Sequence, residues 1–127
     1  MKLTGNTILI TGGGSGIGLA FAERFAKACN RVIICGRREQ ILQQAKEKIP
    51  ALFTRVCDLE RASERIALFD WVTDNHPDVN VLVNNAGIQL RYHVLKADVR
   101  NDWSEFSKEI ATNLEAPFHL SLLFAPF

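Results

Sequence analysis

The sequence has no excess of charge of either sign, no long apolar run and few cysteines, and each shortage removes a class of function. Fifteen Lys and Arg stand against fourteen Asp and Glu, a net charge of +1. A chain so balanced lacks the electrostatic footprint of a nucleic-acid or anionic-membrane binder. The apolar run that opens at Ile8 is shorter than the core of a signal peptide, and no stretch approaches the length of a membrane span. Cys29, Cys35 and Cys57 are odd in number and lack CxxC spacing, so they predict neither a disulfide framework nor a zinc site. His76, His93 and His119 are too scattered to form a ligand set, and no metal is expected. Repeats, linkers and low-complexity tracts are also missing. The composition, 47% apolar and 23% charged, is that of an ordinary globular protein, and residues 1–127 read as one domain of a cytoplasmic protein.

What is present is an alternation of two periodicities. Thr7–Thr11, Arg31–Cys35, 52–57 and Val79–Val83 read as short buried strands. Helical spacing links Ile17, Phe21, Phe25 and Ala28, then Ile41, Leu42, Ala45 and Ile49, which must stop before Pro50. A third helix has Ala62, Ile66, Phe69 and Thr73 as its expected inner face. A long fourth one follows Trp103, Phe106, Ile110, Leu114, Phe118 and Leu122, with a kink expected at Pro117. Strands alternating with helices predict right-handed crossovers and a parallel α/β sheet covered on both faces.

The sharpest local signal is Thr11-Gly12-Gly13-Gly14-Ser15-Gly16-Ile17-Gly18, placed where the first strand hands over to the first helix. Glycines let phosphate oxygens approach backbone amides, and the helix N-terminus adds unsatisfied N–H groups and the positive end of its dipole. Leu19 and Ala20 follow Gly18 where a P-loop needs Lys and Ser or Thr, so nucleoside triphosphate hydrolysis is disfavoured. The spacing is TGxxxGxG and not GxGxxG. In a dinucleotide fold the residue ending the second strand meets the adenosine ribose; an acid there favours NAD and an arginine NADP. Here it reads Gly36-Arg37-Arg38, which favours NADP over NAD. The alternative is that both arginines are solvated charges opening the next helix, with Glu39 as local partner.

With Asp58 after the third strand, Asn84-Asn85-Ala86-Gly87 after the fourth and Asn113 in the last helix, the chain resembles the short-chain dehydrogenase/reductase family along essentially its whole length. The resemblance implies a Rossmann-type doubly wound sheet of strand order 3-2-1-4, ending before the family's fifth strand. It implies that Gly12, Gly14, Ser15, Gly16, Ile17, Gly18, Arg37 and Arg38 hold the dinucleotide, that Asp58 and Leu59 border its adenine, and that Asn85, Ala86 and Gly87 line it. Asp58 read from its neighbours alone is equally a helix cap, and Asn84-Asn85 an ordinary turn. Asn113 would match the helix asparagine of the family's proton relay, and the segment 88–99 would border the substrate.

The family's catalytic serine, tyrosine and lysine fall beyond that asparagine, and Phe127 comes fourteen residues after it, so this set is expected to be absent. Tyr92 and Lys96 have the right internal spacing but precede the last helix, and no catalytic role is assigned to them. The expected function is NADP-dependent hydride transfer between a carbonyl and an alcohol in the complete enzyme. A nucleotide-binding module or a truncated remnant without activity is the alternative, and a homo-oligomer contacting through the last helix is expected.

Overall fold

The computed structural model describes residues 2–127, leaving aside the side chains of Val94 and Val99. Met1, the start of the expected domain, lies outside the described residues. Four strands form one parallel sheet: β1 (Thr7–Thr11), β2 (Arg31–Gly36), β3 (Phe53–Val56) and β4 (Val79–Val83). Their order across it is β3-β2-β1-β4, as the family resemblance implies. Between them run α1 (Gly16–Lys27), α2 (Glu39–Lys48) and α3 (Ala62–Asn75). A short 3-10 turn at Val94–Lys96 leads to α4 (Val99–Ile110), a π-helical segment (Ala111–Glu115) and α5 (Ala116–Phe124).

The central strands β1 and β2 are apolar on both faces because both faces are covered. Ile8, Ile10, Val32 and Ile34 pack with Ala22, Leu42 and Ala45 of α1 and α2. The alternate residues Leu9, Ile33 and Cys35 pack on the other side with Leu68, Val72, Ala116 and Leu120 of α3 and α5. Period-two side-chain alternation thus divides one hydrophobic run between two cores. At the amino end of the sheet the β1–β4 register slips between Thr7 and Ile8. Asn80 fills the slip, its side-chain oxygen accepting the Thr7 N–H at 3.0 Å.

Three helix faces differ from the expectation. On α1 the buried residues are Gly18 and Ala22, while Ile17 is 71% exposed and Phe21 also faces outward. On α3 they are Arg65, Leu68 and Val72, with Ile66 exposed. In both cases the helix has turned from its most apolar stripe. On α1 the reason is closeness: a helix leaving the carboxyl end of a central strand at a tight glycine turn presents small residues. Trp103, Ile110, Leu114, Phe118 and Leu122 of the last helix are exposed, and Ala116 and Leu120 make its contact with the sheet. Near Pro117 the helix widens by one residue per turn, the Ala116 N–H reaching back to the Ala111 carbonyl. A π segment absorbs the donor that proline lacks without ending the helix.

Candidate functional site: a cleft at the carboxyl ends of the strands

The carboxyl ends of the strands are joined by the chain itself. The Gly12 N–H donates to the Cys35 carbonyl at 2.9 Å, and the Cys57 N–H to the Gly36 carbonyl at 3.0 Å. These bonds extend the sheet one residue past β1 and β3, so that all the loops start from one level. Thr11 ties in the fourth strand: its hydroxyl oxygen accepts the N–H groups of both Asn85 and Ala86 at 3.0 Å. The Asn85 side-chain amide donates back to the carbonyls of Thr11 (3.0 Å) and Gly12 (3.3 Å). The asparagine therefore spends its side chain on the glycine turn and offers its backbone to the cleft.

Two glycines are required here for different reasons. Gly12 has φ of +65°, and a Cβ on it would lie 2.9 Å from the Ala86 Cα. A Cβ on Gly18 would overlap the Gly12 carbonyl oxygen and the Asn85 amide nitrogen. The first lets the chain turn over the sheet, and the second lets α1 sit directly against it. Ser15 caps α1 in extended conformation without a side-chain cap bond, and no acid stands in the first turn. The positive end of this helix dipole is left for an anion.

Above the strand ends these loops enclose a half-open cleft of about 350 Å³, within the size range of small-molecule sites. Of the thirteen residues expected to hold a dinucleotide, twelve line it, from Gly12, Gly14, Ser15, Ile17 and Gly18 to Arg37, Arg38, Asp58, Leu59, Asn85, Ala86 and Gly87. Gly16 does not: it opens α1 with φ of +54° and shapes the turn from behind. Asn113 also lies off the cleft wall. Its Oδ1 accepts the Ile88 N–H at 2.8 Å and its Nδ2 donates to the Ile88 carbonyl at 2.7 Å, a two-point clamp on the irregular segment after Gly87. On its other side Asn113 borders a neighbouring apolar hollow with Tyr92, Trp103, Phe106 and Glu109. Tyr92 packs its ring on Phe106, centroids 4.5 Å apart.

Sequence reasoning did not single out Ile41, Leu42, Cys57, Ile88 or Thr112 as cleft residues. The first two were legible only as core of α2. Cys57 lines the cleft at the end of β3, where burial pushes its thiol up to about 12, so it is inert at neutral pH. Asp58 is structural as well as exposed to the cleft, its Oδ1 accepting the Glu60 N–H at 3.2 Å. The two arginines separate. Arg37 pairs with Glu60 at 3.0 Å, not with Glu39, whereas Arg38 has no ion pair among the described residues. The described residues hold no group of three His, Cys, Asp or Glu placed to bind a metal, and no helix among them is long and apolar enough to cross a membrane.

The family of the short chain dehydrogenases matches residues 6–127. The chain belongs to that family. It is 46% identical over 129 residues to the uncharacterized oxidoreductase DltE of Bacillus subtilis, covering 99% of this chain and 49% of that protein. Among solved structures, a metagenomic short-chain oxidoreductase in complex with NADP superimposes with a TM-score of 0.86 at 30% identity, over 98% of this chain and 57% of that one. A 3-ketoacyl-(acyl-carrier-protein) reductase from Brucella melitensis complexed with NADH does so with a TM-score of 0.84 at 27% identity, over 98% and 51%. The chain spans about half the length of the short-chain dehydrogenases it matches.

Proposed function

We propose that this chain forms the cofactor-binding part of an oxidoreductase and holds a nicotinamide dinucleotide in the cleft, NADP(H) in preference to NAD(H). The observation that carries the reading is the convergence of glycine turn, uncapped helix end, paired arginines and Asn85-Ala86-Gly87 on one cleft at the carboxyl ends of parallel strands. The residues fit such a group. Gly14, Ser15, Ile17 and Gly18 meet the pyrophosphate with backbone N–H groups, and Gly16 sets the turn. Asp58 and Leu59 border the adenine, and Asn85, Ala86 and Gly87 the ribose beyond it. Arg38, exposed at the end of β2, meets the 2′-phosphate, and Arg37 joins it by leaving or sharing Glu60.

The bound cofactor would supply the hydride for a small carbonyl or alcohol substrate; the protein's part is to hold, orient and shield. Asn113 belongs to positioning: by clamping both backbone groups of Ile88 it fixes the segment that continues from the cleft toward the hollow around Tyr92. We assign no proton-donating role to Tyr92, whose ring is engaged with Phe106 and which no hydrogen bond ties to Asn113 among the described residues. These 127 residues thus act as one nucleotide-binding domain without turnover of their own. Free Cys35 and Cys57, both buried, suit a reducing, cytoplasmic setting.

Titration by cofactor fluorescence at fixed ionic strength tests the reading. NADPH should bind about tenfold or more tightly than NADH, and Arg38→Asp should abolish the preference, since charge-assisted bonds to phosphate contribute on the order of 1.5–3 kcal/mol. Equal affinities, unchanged by Arg38→Asp and Arg37→Asp, would refute the NADP assignment. In the same cuvettes, NADPH absorbance should stay flat with ketones and aldehydes; turnover lost in Tyr92→Phe would restore that tyrosine as an acid.

A further inference from the structure

Beneath the adenine side of the cleft lies an arginine that the proposed function does not use. Arg65 of α3 is only 4% exposed, and among the described residues it has no carboxylate partner. Burying a guanidinium away from any counter-charge is costly, so its bonds should be specific ones. They are. Its Nε donates to Nδ1 of His119 on α5 at 3.0 Å, and its Nη1 donates to the Leu59 carbonyl at 2.7 Å. Because the arginine nitrogen is always a donor, His119 must present Nδ1 as an acceptor and carry its ring proton on Nε2. The residue before it, Glu64, accepts the Asp58 N–H with its carboxylate. Adjacent residues of α3 therefore pin the two ends of one dipeptide, the amide of Asp58 and the carbonyl of Leu59, and that dipeptide is a wall of the cleft.

We infer that buried Arg65 and half-buried His119 form a brace that sets the position of the Asp58–Leu59 wall, which makes them positioning residues for the adenosine half of the cofactor. The role rests on the nucleotide-binding reading given above, but the brace itself does not. Leu59 is 6% exposed and packs into the core with Leu68 and Leu120, so its side chain is fixed from one direction only. The carbonyl bond from Arg65 supplies the second direction. His119 supplies the third by preventing the guanidinium from rotating away, and it lies on the same continuous helix as the Asn113 clamp, one turn past the π segment. The adenine wall and the segment after Gly87 are thereby referred to one helix.

The test compares His119→Leu, which removes the acceptor, with His119→Asn, whose side-chain oxygen can occupy the place of Nδ1. Two readouts are taken on the whole chain. Without nucleotide, hydrogen exchange at the amides of Asp58, Glu60 and Arg61 should accelerate about tenfold in His119→Leu while amides of β1 and β2 hold their rates, and His119→Asn should restore it. With 2′,5′-ADP as probe, affinity should fall about tenfold in His119→Leu and return in His119→Asn. Should the leucine variant be insoluble, His119→Gln, whose longer amide overshoots the Nδ1 position, replaces it. Unchanged exchange at 58–61, or no rescue by asparagine, overturns the brace. Altered exchange with unaltered 2′,5′-ADP affinity overturns the positioning role. A wild-type chain that binds neither 2′,5′-ADP nor NADPH overturns the nucleotide reading and this role with it, and the exchange result still decides whether the brace exists.

Discussion

Gly18 is the residue on which most of the cleft's geometry turns. Its missing side chain leaves room for the Gly12 carbonyl and the Asn85 amide, so one position carries the contact among α1, the glycine turn and the loop after β4. Gly18→Ala should destabilise the fold by about 2 to 3 kcal/mol, the usual cost of forcing a methyl into a packed contact, and denaturant unfolding would show it. Gly16→Ala makes a useful contrast. Nothing lies within 4 Å of the Cβ it would add, and only the positive φ of +54° opposes it, so the loss should be nearer 1 kcal/mol. A Gly18→Ala variant as stable as the wild type would mean that α1 can lift off the sheet freely. The arginines illustrate the limit of reading single residues. Gly36-Arg37-Arg38 was legible as a basic strand end, but the pairing of Arg37 with Glu60 joins residues 23 apart in sequence and no local pattern foretold it.

Among the elements, strands were legible and helix faces were less so. Three of the four strands appear where apolar, β-branched runs stop at glycine or asparagine, because that signal is short-range, whereas β3 ends before Cys57-Asp58 and is largely exposed. A helix face is chosen by what it must approach. Helical spacing points to Ile17 and Phe21 for α1, and to Ile66 for α3, yet α1 buries Gly18 and Ala22 while α3 buries a charged residue, Arg65, beside Leu68 and Val72. Hydrophobicity alone ranks neither glycine nor arginine as core. The expected kink at Pro117 became a π segment, whose widening depends on the tertiary hold on Asn113 and Ala116. The turn after α3 carries a testable strain of its own. His76 is buried between Phe53 and Trp71, ring centroids 4.5 and 5.5 Å away, and its Nε2 has no partner among the described residues. Burial, with Arg31 nearby, holds its pKa below the ordinary 6.5. The folded chain then favours neutral His76 and the unfolded chain takes up the proton first. Its contribution to stability is present above pH 6.5 and is lost as pH falls through the lowered value. His76→Phe should raise stability by ~1 kcal/mol at neutral pH and flatten the loss that sets in as pH falls below 6.5. Thermal melts across that range check it; parallel pH profiles for the two proteins would remove His76 from the account.

At the scale of the molecule, two surfaces stand open. β4 is at the edge of the sheet, and a hollow between it and α5 is bordered by Val79, Val81, Leu82, Phe124 and Phe127. Along α4 and α5, Trp103, Ile110, Leu114, Phe118 and Leu122 are each at least 45% exposed. An unpaired edge beside apolar side chains favours association, so these 127 residues should self-associate, with light scattering showing a mass that rises with concentration. A monomer independent of concentration would contradict that expectation. Covering about half the length of their relatives, they form a four-stranded sheet of order 3-2-1-4 and gather the cleft at its carboxyl end. Amide chemical-shift mapping on addition of NADPH tests whether the cleft binds a dinucleotide. Perturbations are expected at Gly12–Gly18, Arg37–Arg38, Asp58–Leu59 and Asn85–Gly87, with the amino end of the sheet around Asn6, Asn30 and Asn80 unmoved. Shifts confined to the exposed face of α4 and α5, or none at saturating NADPH, would contradict it.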